Sequence, residues 1–145
     1  MKNTALIRRR ILARRARVGI VGQGYVGLTL ACIAAEAGFP VTGIDTDPAR
    51  VAELSEGRLV VPGVLPDVFR AGVGSERLTF TTEAEALAES EIIAICVPTP
   101  LRNEMPDLSF VESACREVAR HLGPSKLVIL ESTTYPGTTE GLVLP

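Results

Sequence analysis

Histidine and cysteine are scarce in this chain. His121 is the only histidine, and Cys32, Cys96 and Cys115 are the only cysteines. None of the three forms a Cys-x-x-Cys pair or any Cys/His spacing that holds zinc, so neither a metal site nor a Ser-His-Asp triad is expected. Each lies in an apolar segment and reads as a buried free thiol in a reducing, cytoplasmic setting. No apolar run approaches the ~18 residues of a membrane span, so no membrane partner is expected. Acids are absent from residues 1–17, which hold seven of the fifteen Lys and Arg. The remainder sets eight cations against seventeen acids, a balance hidden by the net charge of −2. An acidic body argues against nucleic acid as a partner. With 46% hydrophobic residues over 145 positions, one globular domain with a real core is expected.

Glycine, by contrast, is placed with purpose. Val18-Gly19-Ile20-Val21 suits a buried strand and runs into Gly22-x-Gly24-x-x-Gly27, after which Thr29, Ala31, Ala34 and Ala35 give a small-residue helix pattern. In a dinucleotide-binding turn the first glycine makes the bend, the second lets backbone approach a pyrophosphate, and the third brings helix against sheet. The helix then directs its free N–H groups and positive dipole end at the phosphates. Three glycines alone are a weak signal. The context is stronger, because Phe39–Asp45 reads as a second strand and Asp45 falls 18 residues after Gly27. A carboxylate there accepts hydrogen bonds from adenosine ribose hydroxyls and repels a 2′-phosphate, which favours NAD over NADP.

Ahead of the first strand, Thr4–Ala16 reads as an amphipathic helix with Leu6, Ile7 and Ile11 toward the body and its arginines in water. A mitochondrial presequence is also Arg-rich, but Val18 follows with no spacer or cleavage region, so a solvated helix is expected. After the second strand Asp47 caps a helix with Pro48 in its first turn, and Val51, Ala52 and Leu54 supply its buried face. Arg50 starts that helix five residues past Asp45, within reach of an adenine; a plain solvated helix charge fits the pattern as well.

Residues 57–76 are irregular, with a short helix near Leu65–Arg70. Arg77–Thr82 alternates like a strand, and Thr82-Glu83-Ala84-Glu85 opens a helix with a capping-box character. Glu91–Val97 is an apolar run of the kind found in a strand covered on both faces. It ends at Pro98-Thr99-Pro100, where ligands bind in open α/β sheets. A loop at 101–106 leads to Asp107 as cap of a helix over Leu108–Leu122, with Phe110, Val111, Ala114, Cys115, Val118 and Leu122 as its apolar stripe. Lys126–Glu131 is a fifth strand, followed by the polar turn Ser132–Thr139, and Gly137 begins a further helix. The expected fold is α/β, a Rossmann-type doubly wound parallel sheet truncated before its last strand. Residues 1–17 form its basic helix and 18–145 the incomplete NAD-binding domain.

Four segments together carry a resemblance: Gly22-Gln23-Gly24-Tyr25-Val26-Gly27-Leu28, Val97–Leu101, Pro106–Ser109 and Glu131–Glu140. They resemble the N-terminal domain of the nucleotide-sugar dehydrogenases, the UDP-N-acetylglucosamine 6-dehydrogenase branch in particular. The resemblance implies NAD as cofactor, a UDP-sugar substrate, a homo-oligomer for the complete enzyme, and two successive oxidations of the sugar's primary alcohol through a cysteine thioester. It further implies that the Tyr25 and Val26 backbone meets the pyrophosphate at the Gly22, Gly24 and Gly27 turn. Asp45 and Arg50 would hold the adenosine end, and Thr99 would lie beside the cofactor. Thr133 would sit near the nicotinamide and the catalytic water. The family's nucleophilic cysteine, catalytic lysine and asparagine are expected beyond Pro145, in a substrate domain absent here, and none of Cys32, Cys96 or Cys115 matches the cysteine's motif. Leu59–Pro66 departs from the family by lacking a polar turn. This chain alone is therefore expected to be inactive. A stand-alone NAD-binding module without catalysis is the alternative from another class.

Overall fold

The structure, a computed structural model, describes residues 2–102 and 104–144. Asn103, inside the expected loop, and Pro145 lie outside the described residues. Four-residue strands β1 (Val18–Val21), β2 (Val41–Ile44), β3 (Leu78–Thr81), β4 (Ile92–Ile95) and β7 (Leu127–Leu130) form one parallel sheet in the order β3-β2-β1-β4-β7. Registers are unshifted from strand to strand: Val18 stands opposite Val41 on one side and Ile92 on the other. The five strands are those legible in the sequence. A small antiparallel pair, β5 (Leu101–Arg102) with β6 (Met105–Pro106), replaces the plain loop expected at 101–106.

Helices cover both faces. On one, α2 (Tyr25–Glu36) lays Ala31 and Ala35 over Val18, Ile20, Val41 and Ala94 of the strands. Its small residues let α4 (Pro66–Gly74) press close, and a Cβ on Gly72 would stand 2.5 Å from the Cys32 Cα. Leu28, Cys32, Phe69 and Leu54 of α3 (Pro48–Ser55) fill the space between these helices. Asp47 does cap α3, its Oδ1 accepting from the Ala49 and Arg50 N–H groups at 3.0 and 3.2 Å. Ala52, expected inside, is exposed. The opposite face is covered by α5 (Ser109–Arg120), whose Ala114 and Val118 pack on Ile44, Ile93 and Ile95. That helix is shorter than the expected Leu108–Leu122, and Phe110 and Leu122 face solvent.

Two further expectations change. Thr82–Glu85 opens no α-helix. Thr81 Oγ1, one residue earlier, accepts the Glu83 N–H at 3.0 Å, and a 3₁₀ turn at Ala84–Glu89 follows. The Lys126 ammonium closes that turn, donating to the Leu87, Ala88 and Ser90 carbonyls at 2.6–2.7 Å. The helix expected from Gly137 is a single wide turn of π type at Thr139–Val143.

α1 (Lys2–Leu12) sits at the amino end of the strands. Glu91 holds it there, with Oε1 2.9 Å from the Arg10 Nε and Oε2 accepting the Arg17 N–H at 3.0 Å. The first contact is a charge pair without hydrogen-bond alignment, since that Nε makes no hydrogen bond among the described residues. Ile7 and Ile11 are half-buried as expected, whereas Leu6 is exposed.

Candidate cofactor site

Strand order decides where a ligand can enter. The chain leaves β1 for α2 on one face and leaves β4 for α5 on the other, so the connections diverge between neighbouring strands. At such a switch point a crevice opens outside the carboxyl ends of the strands. Here it is a cleft of about 430 Å³ lined by Gly22, Gly24, Tyr25, Val26, Asp45, Arg50, Cys96, Val97, Pro98, Thr99, Glu131, Ser132 and Thr133. All sequence-derived site residues except Gly27 thus meet on one wall or another. Gly27 lies buried beneath the turn. A larger hollow of about 540 Å³, bordered by Arg17, Arg77 and Glu89, lies at the amino ends of the strands and contains neither the glycine turn nor a helix start.

The three glycines do separate work. Gly22 has φ +91°, and a Cβ there would stand 2.6 Å from the Cys96 carbonyl oxygen. A Cβ on Gly27 would meet the Gly22 carbonyl oxygen at 1.8 Å. A Cβ on Gly24 would meet nothing within 4 Å. The space over Gly24 is therefore a cradle that a side chain would fill and that bare backbone leaves open. Gly24 is also the N-cap of α2 and offers no side-chain cap, so first-turn N–H groups remain for an anion. This geometry fits a pyrophosphate.

Asp45 ties β2 to the turn. Its Oδ2 accepts from the Gln23 N–H at 2.7 Å and from Arg50 Nη1 at 3.1 Å, and its Oδ1 accepts from the Asp47 N–H at 2.9 Å. A carboxylate has roughly four lone-pair sites. Three are used, which leaves room at Oδ1 for one sugar hydroxyl rather than two. Arg50, whose role the sequence left open, is paired with Asp45 at the cleft edge. Beyond them a second chamber of about 380 Å³ adds Thr46, Thr82, Phe110 and Glu117 to the lining.

Several contributors were not legible in the sequence. Gln23 is wholly buried and donates to the Ile20 and Gly22 carbonyls at 2.9 and 3.2 Å, stapling the turn from below. Ser132 Oγ donates to the Val97 carbonyl at 2.8 Å and joins the loops after β4 and β7. Glu131 continues a strand but its exposed side chain lines the cleft, a position readable only from its place at the strand's carboxyl end.

The one cysteine that lines this cleft is not poised as a thiolate. Burial pushes the Cys96 thiol up to about 11, and the Glu131 charge adds to the effect. Burial alone raises Cys32 to about 11 and raises Cys115 as well. Protonated thiols are poor nucleophiles. Among the described residues no group of three or more His, Cys, Asp or Glu is placed to hold a metal ion, and no helix is long and apolar enough to cross a membrane.

Residues 16–145 match the UDP-glucose/GDP-mannose dehydrogenase family, NAD binding domain. The chain belongs to this family. It is 37% identical over 129 residues to UDP-N-acetyl-D-mannosamine dehydrogenase of Pyrococcus horikoshii, covering 86% of this chain and 30% of that protein. To NDP-N-acetyl-D-galactosaminuronic acid dehydrogenase of Ralstonia nicotianae it is 39% identical over 127 residues, 86% of this chain and 29% of the other. The crystal structure of a ternary complex of GDP-mannose dehydrogenase from Pseudomonas aeruginosa superposes with a TM-score of 0.80 at 32% identity, over 89% of this chain and 31% of that one. The chain thus spans about 30% of the length of the relatives it matches. Within this dehydrogenase family it is the Rossmann-type NAD-binding part.

Proposed function

We propose that the chain holds NAD along the carboxyl edge of its sheet as the cofactor domain of a nucleotide-sugar 6-dehydrogenase. The observation that carries this reading is the uncapped start of α2 beneath the open space at Gly24, flanked by the Asp45 carboxylate. In this reading the Tyr25 and Val26 N–H groups bind the pyrophosphate. Asp45 accepts a hydroxyl of the adenosine sugar through Oδ1, and its charge disfavours a 2′-phosphate. Arg50 borders the adenine chamber and Thr99 flanks the cofactor past the turn. Thr133, on the far wall, places a water near the reacting carbon. NAD when bound accepts hydride from the sugar alcohol. Lys126 supplies no base to the cleft, because its ammonium is engaged by three carbonyls at the amino end of β7.

For the whole enzyme we propose a UDP-N-acetylhexosamine substrate, UDP-N-acetylglucosamine first, in a reducing cytoplasm that suits three free thiols. Support for the class comes from relatives named for N-acetylated sugars. Calorimetric titration of the purified chain with NAD and NADP tests the cofactor reading. NAD should bind and NADP should bind more weakly; equal or tighter NADP binding would remove the role given to Asp45.

A further inference from the structure

We propose that Glu131 receives the vicinal hydroxyls of the ribose on the nicotinamide side of the cofactor, the counterpart of Asp45 at the opposite end of the cleft. The inference rests on the NAD reading above. Along the carboxyl edge of the sheet the order is Asp45 after β2, the glycine turn after β1, Thr99 after β4 and Glu131 after β7. Three strand spacings of ~4.8 Å put the carboxyl ends of β2 and β7 ~14 Å apart. A dinucleotide whose pyrophosphate rests on α2 therefore lays one sugar toward β2 and the other toward β4 and β7.

The two acids differ in how far they are already satisfied. Asp45 is buried and accepts three hydrogen bonds. The Glu131 backbone is fixed, its N–H donating to the Ile95 carbonyl at 2.9 Å, but its carboxylate makes no hydrogen bond or ion pair among the described residues. It lines a cleft walled in part by Cys96, Val97 and Pro98. A carboxylate there can accept hydrogen bonds from a ligand's hydroxyls and repels phosphate. On that side of the pyrophosphate the sugar diol offers two donors, one for each oxygen, and the sugar is the unit attached directly to the phosphate. The ring and its carboxamide lie further out, toward the exposed Thr133.

Calorimetry of NAD, ADP-ribose and ADP with the wild-type chain and with Glu131→Ala separates these contacts. The substitution should weaken NAD and ADP-ribose by about 10-fold, the scale of hydrogen bonds to a charged group. ADP should bind as tightly as before or more tightly, because a repelling charge is gone, and its retained binding reports an intact fold. Weakening of NAD without ADP-ribose would move the contact to the carboxamide and overturn the proposal. Equal weakening of ADP, or no weakening of any ligand, would also overturn it. A wild-type chain that binds none of the three would overturn the NAD reading and this inference with it.

Discussion

A Cβ on Gly27 would stand 1.8 Å from the carbonyl oxygen of Gly22. The two glycines work as one device. Gly22 turns the chain at φ +91°, and Gly27 lets α2 begin directly against the turned carbonyl. A Cβ on Gly24, between them, would meet nothing within 4 Å, which leaves space for a ligand.

Substitutions should separate these roles. Gly27→Ala drives a methyl into backbone that cannot yield, and should cost more than ~3 kcal/mol. Gly24→Val should change stability by only ~1 kcal/mol while weakening NAD at least ~100-fold. Urea denaturation and calorimetry measure the two effects. Normal NAD binding by Gly24→Val would contradict a pyrophosphate at this position.

Asp45→Asn keeps the shape but removes the charge that pairs with Arg50 and repels a 2′-phosphate. NAD affinity should fall by about 10-fold, and the NAD-to-NADP preference should shrink or invert as the freed guanidinium becomes available to phosphate. An unchanged preference would mean that discrimination resides elsewhere.

The buried thiols predict an alkaline loss of stability. Cys32 and Cys96 hold their protons to about 11 in the folded chain, against an ordinary value of 9.0. The folded values are raised, so the associated stability is fully present below pH 9.0 and is lost as pH climbs through about 11. Denaturation midpoints on either side of pH 9.0 should show the decline, and Cys32→Ala should reduce it. A thiol reagent at neutral pH should label these two cysteines only after unfolding. Rapid native labelling at Cys96 would count against its protonated state.

Protonated thiols and an engaged Lys126 also predict no catalysis by the chain alone. Incubation with NAD and UDP-N-acetylglucosamine or UDP-glucose should yield no sustained rise in reduced-cofactor absorbance. Turnover abolished by Cys96→Ser would reverse the assignment of this chain to cofactor binding only.

Glu91 should prove to be the anchor of α1. Removing it as Glu91→Ala strips the Arg10 charge pair and leaves the Arg17 N–H without its acceptor, at a cost of ~1–2 kcal/mol after allowing for the partial exposure of the pair. Trypsin should then cut faster at Arg8 and Arg9. Unaltered digestion would show that Ile7 and Ile11 hold the helix unaided.

The sequence by itself determined the five strands, the glycine turn and the acid at position 45, because each is a local pattern. A buried parallel strand must be a short apolar run, and a bend against a sheet must be glycine. Family membership followed from the same local segments. Helix limits were less legible: Thr81 holds the Glu83 N–H just ahead of a 3₁₀ turn that lacks a side-chain N-cap, and Lys126, 44 positions after Thr82, donates to the carbonyls at its end. Only the tertiary structure decided the state of the side chains. Asp45 proved to have three of its acceptor positions filled, Gln23 to be a buried staple, and Glu131 to be an acid across the cleft from Asp45 with no partner among the described residues. Those facts depend on groups that are far apart in the chain and meet only because β2, β1, β4 and β7 bring their carboxyl ends to one edge, and no local pattern encodes which side chains will face each other there.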